Sequence, residues 1–109
     1  MEFNDIQKRS REILTLFEKH EAQNNTKWQR GDLVRGFVAD VGDLSKLTMA
    51  EDGLRSAENA KEKLEHELAD CLWSVIVIAE KYDVDLEAAF AKTMAELEEK
   101  LETKLQTSQ

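Results

Sequence analysis

Apolar residues recur along this chain at helical rather than strand spacing. Phe3, Ile6, Ile13, Leu14, Leu16 and Phe17 predict a first helix over about residues 4–20. Gln23, Asn24, Asn25 and Thr26 then break the pattern with side chains that favour turns. Leu33, Val34, Phe37, Val38, Val41, Leu44 and Leu47 give a broad stripe to a second helix beginning near Gly31 or Asp32. Asp52 and Gly53 mark a loop, and Ser56 is the expected N-cap of a third helix running to about Lys81. Its first turns are charged (Glu58, Lys61, Glu62, Lys63, Glu65), whereas Leu72, Trp73, Val75, Ile76, Val77, Ile78 and Ala79 are almost continuously apolar. Such a segment needs cover on nearly all sides, and a second copy of the chain is a natural source of it. After a turn at Tyr82, Asp83 and Val84, Asp85 is the expected cap of a fourth helix. Leu86, Ala89, Phe90, Met94, Leu97 and Leu101 would form its inner face, with fraying at residues 106–109.

Composition narrows the class. A chain of 109 residues suits one domain, here expected to span residues 1–109 with an ordered core over about 4–103. The absence of proline, the four glycines and the 35% charged residues favour an all-α bundle, because helices carry charge on one face and need few breakers. A formal net charge of −8 argues against a nucleic-acid polymer as partner. It argues less against a nucleotide, since a bound cation inverts the local field. Cys71, the single cysteine, excludes an intramolecular disulfide and a multi-cysteine zinc site, and its apolar setting reads as a small buried side chain. The apolar run from Cys71 to Ala79 is too short to span a bilayer, and the first five residues do not resemble a signal peptide. A cytoplasmic protein is the expectation.

Two acidic couplets carry the candidate chemistry. Asp40 and Asp43 are three residues apart, as are Glu67 and Asp70, so each pair lies on one helix face about a turn apart. With 23 acids in the chain, some such spacings arise by chance and belong to solvated faces. These two are flanked by Phe37, Val38, Val41 and Leu44, and by Leu64, Leu68, Leu72 and Val75, which is unusual for exposed positions. Carboxylates beside a core need neutralising, and a hard divalent cation such as Mg²⁺ does that with oxygen ligands. Gly42 lies inside the first couplet. A mid-helix glycine costs about 1 kcal/mol against alanine, so close helix approach or room for a ligand is expected there. Other chemistries fit less well. A ferritin-like di-iron site wants Glu-x-x-His pairs, which neither His20 nor His66 completes, and both histidines read as surface residues. There is no Gly-x-x-x-x-Gly-Lys loop, and no Ser-His-Asp set can be assembled.

Asp40-Val41-Gly42-Asp43-Leu44, followed after a spacer by Glu67-Leu68-Ala69-Asp70-Cys71-Leu72, resembles the MazG-like all-α nucleoside triphosphate pyrophosphohydrolases, which include dCTP pyrophosphatases and dimeric dUTPases. Val84-Asp85-Leu86-Glu87-Ala88-Ala89 and Met94 match that family's last core helix, and the likeness covers about residues 6–97. The resemblance implies a helical bundle of about four helices whose four-helix core is completed by dimerisation, with further pairing into a dimer of dimers left open. It implies Mg²⁺, or Mn²⁺, held by Asp40, Asp43, Glu67 and Asp70 as the catalytic and metal-binding set. It implies hydrolysis of a (deoxy)nucleoside triphosphate to the monophosphate and pyrophosphate. Trp28 resembles an aromatic residue found near the family's base pocket. Two departures stand out. The usual first couplet has two glutamates where this chain has Asp40 and Asp43. The usual asparagine and basic tail of the last helix are replaced by Leu97 and Glu98-Glu99-Lys100, so phosphate-binding cations must come from elsewhere, with Lys46 and Lys92 as candidates. These departures leave open an alternative, a catalytically impaired MazG-like dimer acting as a nucleotide- or protein-binding module.

Overall fold

A computed structural model describes residues 1–25 and 29–107. They form four helices and no strand: α1 (Phe3–Gln23), α2 (Arg30–Glu51), α3 (Ala60–Lys81) and α4 (Leu86–Thr107). The all-α expectation holds, and the helix boundaries fall where the apolar periodicity put them to within a turn.

The helix ends are held by local polar groups. Asp5 accepts a hydrogen bond from the Glu2 N–H at 3.0 Å, and Asp32 accepts one from the Gln29 N–H at 2.8 Å, so α1 and α2 begin with an acid folded back on the preceding backbone. Arg35 also donates to Asp32, and its guanidinium together with the Gln29 N–H holds the Asp32 carboxyl below its ordinary value. The end of α2 is a Schellman turn. Gly53 takes φ +78°, its N–H donates to the Ala50 carbonyl, and the Leu54 N–H reaches the Met49 carbonyl at 2.8 Å. The end of α3 repeats this motif with Asp83 at φ +55° and the Val84 N–H donating to the Ala79 carbonyl at 2.8 Å. Asp85 does cap α4: its Oδ1 accepts from the Ala88 N–H at 3.1 Å. Ser56 does not cap α3. The helix starts a turn later, after Asn59 in the left-handed region at φ +52°, a conformation that asparagine tolerates better than serine.

The apolar half of α3 is the centre of the molecule. Val77 is wholly buried, and Ile76, Ala79 and Leu14 of α1 are nearly so. Trp73 bridges to α1, donating its indole N–H to the Ser10 carbonyl at 3.2 Å and meeting Phe17 edge-on at 6.4 Å. Arg11–Glu80 at 2.8 Å and Lys81–Glu18 at 3.4 Å tie the same helices at their rims. On the other side α2 packs antiparallel along α3, and Arg30 stacks over the Tyr82 ring at 4.3 Å.

Cover of α3 is incomplete within one chain, since Leu72 stays 48% exposed. The fourth helix corrects the expectation of an inner face. It makes no extensive contact with α1, α2 or α3, and Phe90, Met94, Leu97 and Leu101 are all exposed, Phe90 by 64%. The tight turn at Asp83 carries α4 away from the other helices, giving extents of 62 × 40 × 28 Å. The radius of gyration is 17.9 Å, against about 13 Å for a compact chain of this length. Gly42 also differs from one of its two expected uses. A Cβ built there meets nothing within 4 Å, so no helix approaches closely and the space is open.

The Asp85 cap is testable. Asp85→Ala is expected to destabilise the first turn of α4 by about 1 kcal/mol, read as faster amide exchange at residues 86–89 with little change in α1–α3.

Candidate metal and phosphate site

The couplets sit mid-way along α2 and α3, on the faces that these antiparallel helices turn toward each other. One carboxylate oxygen each from Asp40, Asp43 and Glu67 lie within 4.8 Å of one another. Asp40 and Glu67 are half-buried, while Asp43 is exposed. The Glu67 Oε2 atom is buried and has no hydrogen-bond partner. An unsatisfied buried oxygen costs about 1–3 kcal/mol, more when it is charged, so it points to a ligand that the protein itself does not supply. No lysine or arginine forms an ion pair with Asp40, Asp43 or Glu67 among the described residues.

Asp70 stands apart from this trio. The His66 ring nitrogen Nε2 lies 3.1 Å from its Oδ2, one turn along α3. Both partners are substantially exposed, so the pair contributes little stability, but it aims the Asp70 carboxylate. The electrostatics follow the geometry. Burial, then the Asp70 and Asp43 charges, push the Asp40 carboxyl above its ordinary value, partly offset by His66. Burial, then Asp40, Asp70 and Asp43, do the same to Glu67. Burial and the nearby Asp40, Glu67 and Asp70 charges also raise the Cys71 thiol, which keeps it protonated and a poor nucleophile.

Beside the acids, toward the α2–α3 loop, lies an open groove of about 410 Å³. Its walls include Asp43, Lys46 and Leu47 from α2, and Lys63, His66 and Glu67 from α3. Thus Lys46 adjoins the acidic cluster. Lys92 does not: it is exposed on α4, which packs on neither α2 nor α3 within the chain. Trp28 lies outside the described residues. An all-oxygen donor set with an orphaned carboxylate oxygen suits a hard cation such as Mg²⁺ or Mn²⁺ and offers nothing to a thiophilic one.

The family model of the MazG nucleotide pyrophosphohydrolase domain matches residues 45–104. This chain belongs to that family. Comparison with curated proteins and with solved structures gives no match. The MazG match takes in Glu67 and Asp70 and begins just past Asp43, while Asp40 and Asp43 lie beside Glu67 in the structure. Three polar residues of the groove, Glu62, Lys63 and His66, gain a place that the sequence alone does not give them. By itself the sequence makes His66 a surface residue and puts Glu62 and Lys63 in a charged helix start. The signal lies in the helix face, since Lys63 is three residues from His66 and four from Glu67, and Asp70 is four from His66 and three from Glu67.

The raised carboxyls have a consequence for pH. A folded-state pKa above the unfolded one stabilises the fold below the unfolded value, and that stabilisation is lost as pH rises through the folded value. Without metal, Asp40→Asn is therefore expected to melt like the native chain in acid, below the ordinary carboxylate range. Above the raised Asp40 value it should melt a few degrees higher, as one of the crowded charges is gone. Mg²⁺ is expected to narrow or reverse the difference. Calorimetric melting between pH 3.5 and 7.5, with chelator or with Mg²⁺, measures both effects.

Proposed function

We propose that this chain is a Mg²⁺-dependent nucleotide pyrophosphohydrolase, with Mn²⁺ able to substitute, converting a (deoxy)nucleoside triphosphate to the monophosphate and pyrophosphate. Family membership supports the activity class. The observation that carries the chemistry is the convergence of Asp40, Asp43 and Glu67 around an orphaned carboxylate oxygen. These three residues would hold the cation, with Asp70 next to them and steered by His66. A divalent cation at such a site screens phosphate charge and supplies Lewis acidity toward a hydrolytic water.

The chain's own residues do the rest. Asp40 and Glu67, ionised against burial and mutual repulsion, provide negative charge that a metal–phosphate complex relieves. Direct attack of water then forms the bond to the α-phosphorus, the bond to the bridging oxygen breaks, and its electron pair leaves with pyrophosphate. Positioning supplies most of what such a displacement needs. Lys46, at the groove beside Asp43, is the lysine suited to phosphate, and Lys92 would require a partner chain to approach the acids.

The same proposal includes a homodimer in the cytoplasm, acting on a small anionic substrate rather than on a nucleic-acid polymer. No described helix is long and apolar enough to cross a membrane. The exposed stripe of α4 and the half-covered α3 face support pairing of two chains, since contiguous exposed apolar surface of this kind marks an interface. Leu97→Glu combined with Leu101→Glu is expected to give a monomer in light scattering, where the native chain gives a dimer.

Activity is tested with a panel of nucleoside triphosphates and Mg²⁺. Pyrophosphate and a monophosphate are expected from at least one of them, and Glu67→Gln should reduce turnover by at least about a hundredfold, since it removes a charged ligand. Metal binding by calorimetry without turnover on any triphosphate would instead favour the binding-module reading.

A further inference from the structure

The converging acids Asp40, Asp43 and Glu67 occupy one end of the cleft between α2 and α3, and the loop end carries Lys46, Lys63 and one further acid, Glu62. The two directions along the cleft are chemically unequal. Lys46 follows Asp43 by three residues on α2, and Lys63 precedes Glu67 by four on α3. Each lysine is therefore one turn from an acid of the cluster, on the acid's own helix face. Both lie on the side toward the α2–α3 loop, and both line the groove of about 410 Å³. In the opposite direction the next turn presents Phe37, three residues before Asp40, and the buried Ser74, four after Asp70.

Asp43, Glu62 and Glu67 share the groove with the two lysines. Even so, neither Lys46 nor Lys63 forms an ion pair among the described residues, whereas Lys81 does so with Glu18. Their ammonium groups are therefore available to an incoming anion. Leu47 provides an apolar wall along which their alkyl stems can lie.

We infer that Lys63 of α3 and Lys46 of α2 form a two-helix clamp for the diphosphate portion of the substrate, so that a triphosphate lies with its terminal phosphates toward the α2–α3 loop and its nucleoside toward Phe37. The inference rests on the hydrolase reading and adds to it the polarity of the substrate and a binding residue, Lys63. A compact, strongly hydrated ammonium suits a terminal phosphate as a point charge. When water bonds to the α-phosphorus and the bond to the bridging oxygen breaks, the electron pair passes to the leaving pyrophosphate. The clamp lies where that charge accumulates, and the water's proton goes to solvent. The clamp also discriminates: a monophosphate reaches the acids but not the lysines.

Inorganic pyrophosphate is the direct probe. Calorimetric titration with pyrophosphate and Mg²⁺ uses the full native chain, Lys63→Met, Lys46→Met, Lys63→Arg, and Lys8→Met on α1 as a control. Each of the two groove methionine variants is expected to bind pyrophosphate about tenfold more weakly, as suits loss of one charged hydrogen bond. Lys63→Arg and Lys8→Met should stay near the native value. Mn²⁺ affinity and monophosphate inhibition should be unchanged throughout, which separates the clamp from damage to the acids or the fold. Native pyrophosphate affinity in both groove variants overturns the clamp while leaving the hydrolase reading intact. So does a native chain that turns over triphosphate yet binds no pyrophosphate. Pyrophosphate binding that depends on these lysines, in a chain that turns over nothing, upholds the clamp and removes the hydrolase reading.

Discussion

Like charge crowded between two packed helices is the constraint on which the rest of this molecule depends. Asp40, Asp43 and Glu67 bring oxygens within 4.8 Å of one another, and Asp70 is close enough to act on two of them. At an effective dielectric of about 20, each unit pair at 4 Å repels by about 4 kcal/mol, an upper bound for groups that are partly solvated. α2 and α3 nevertheless stay together. The attraction comes from apolar packing at the far half of α3, where Val77 and Ile76 are buried and α1 clamps Trp73 through Ser10 and Phe17. The fold thus separates its tasks along one helix. The second half of α3 anchors, and the first half presents charge.

That separation explains why one chain looks unfinished. The anchoring half of α3 is gripped by α1 and α2, yet Leu72 and Val75 keep an open side. The fourth helix has the amphipathic pattern of a core element but is carried outward by the left-handed turn at Asp83. A helix of 22 residues with an apolar stripe gains most of its stability from packing rather than from propensity. The extended shape, the bare stripe and the half-covered α3 face therefore belong to one physical situation: more apolar surface than a single chain can bury.

Much of this was legible in the sequence, and the limits have identifiable causes. Period and breakers located all four helices, because each carries an apolar stripe and the first three end near Asn24, Gly53 and Asp83. Asp85 was readable as a cap because it directly precedes a good helix former. Ser56 misled for the same kind of reason, since cap preference is local whereas α3 starts only after Asn59 in the left-handed region. The inner face of α4 could not be assigned to a partner from periodicity, which reports that a face is apolar and not what covers it. At the site, spacing placed the two couplets on two helix faces. Spacing could not show that Lys63 would border the acids of α2, because that depends on the register of α2 against α3.

Register also bears on the replacement of glutamate by aspartate in the first couplet. Aspartate reaches one methylene less far, which on its own would hold the oxygens of α2 away from those of α3. Glu67 is the single longer acid of the four, it belongs to the opposite helix, and it is the one whose Oε2 atom is buried and unpaired. The reach missing from α2 is thus supplied across the gap from α3. Asp70 has no such extra length and lies one turn nearer the anchored half, where His66 engages it. Asp43 and Glu67 also line the groove on the side toward the α2–α3 loop, where Lys46 and Lys63 border it. Short acids on one helix and a single long one on the other give the cleft a direction, and a triphosphate, with its charge concentrated at one end, is a substrate for which direction matters.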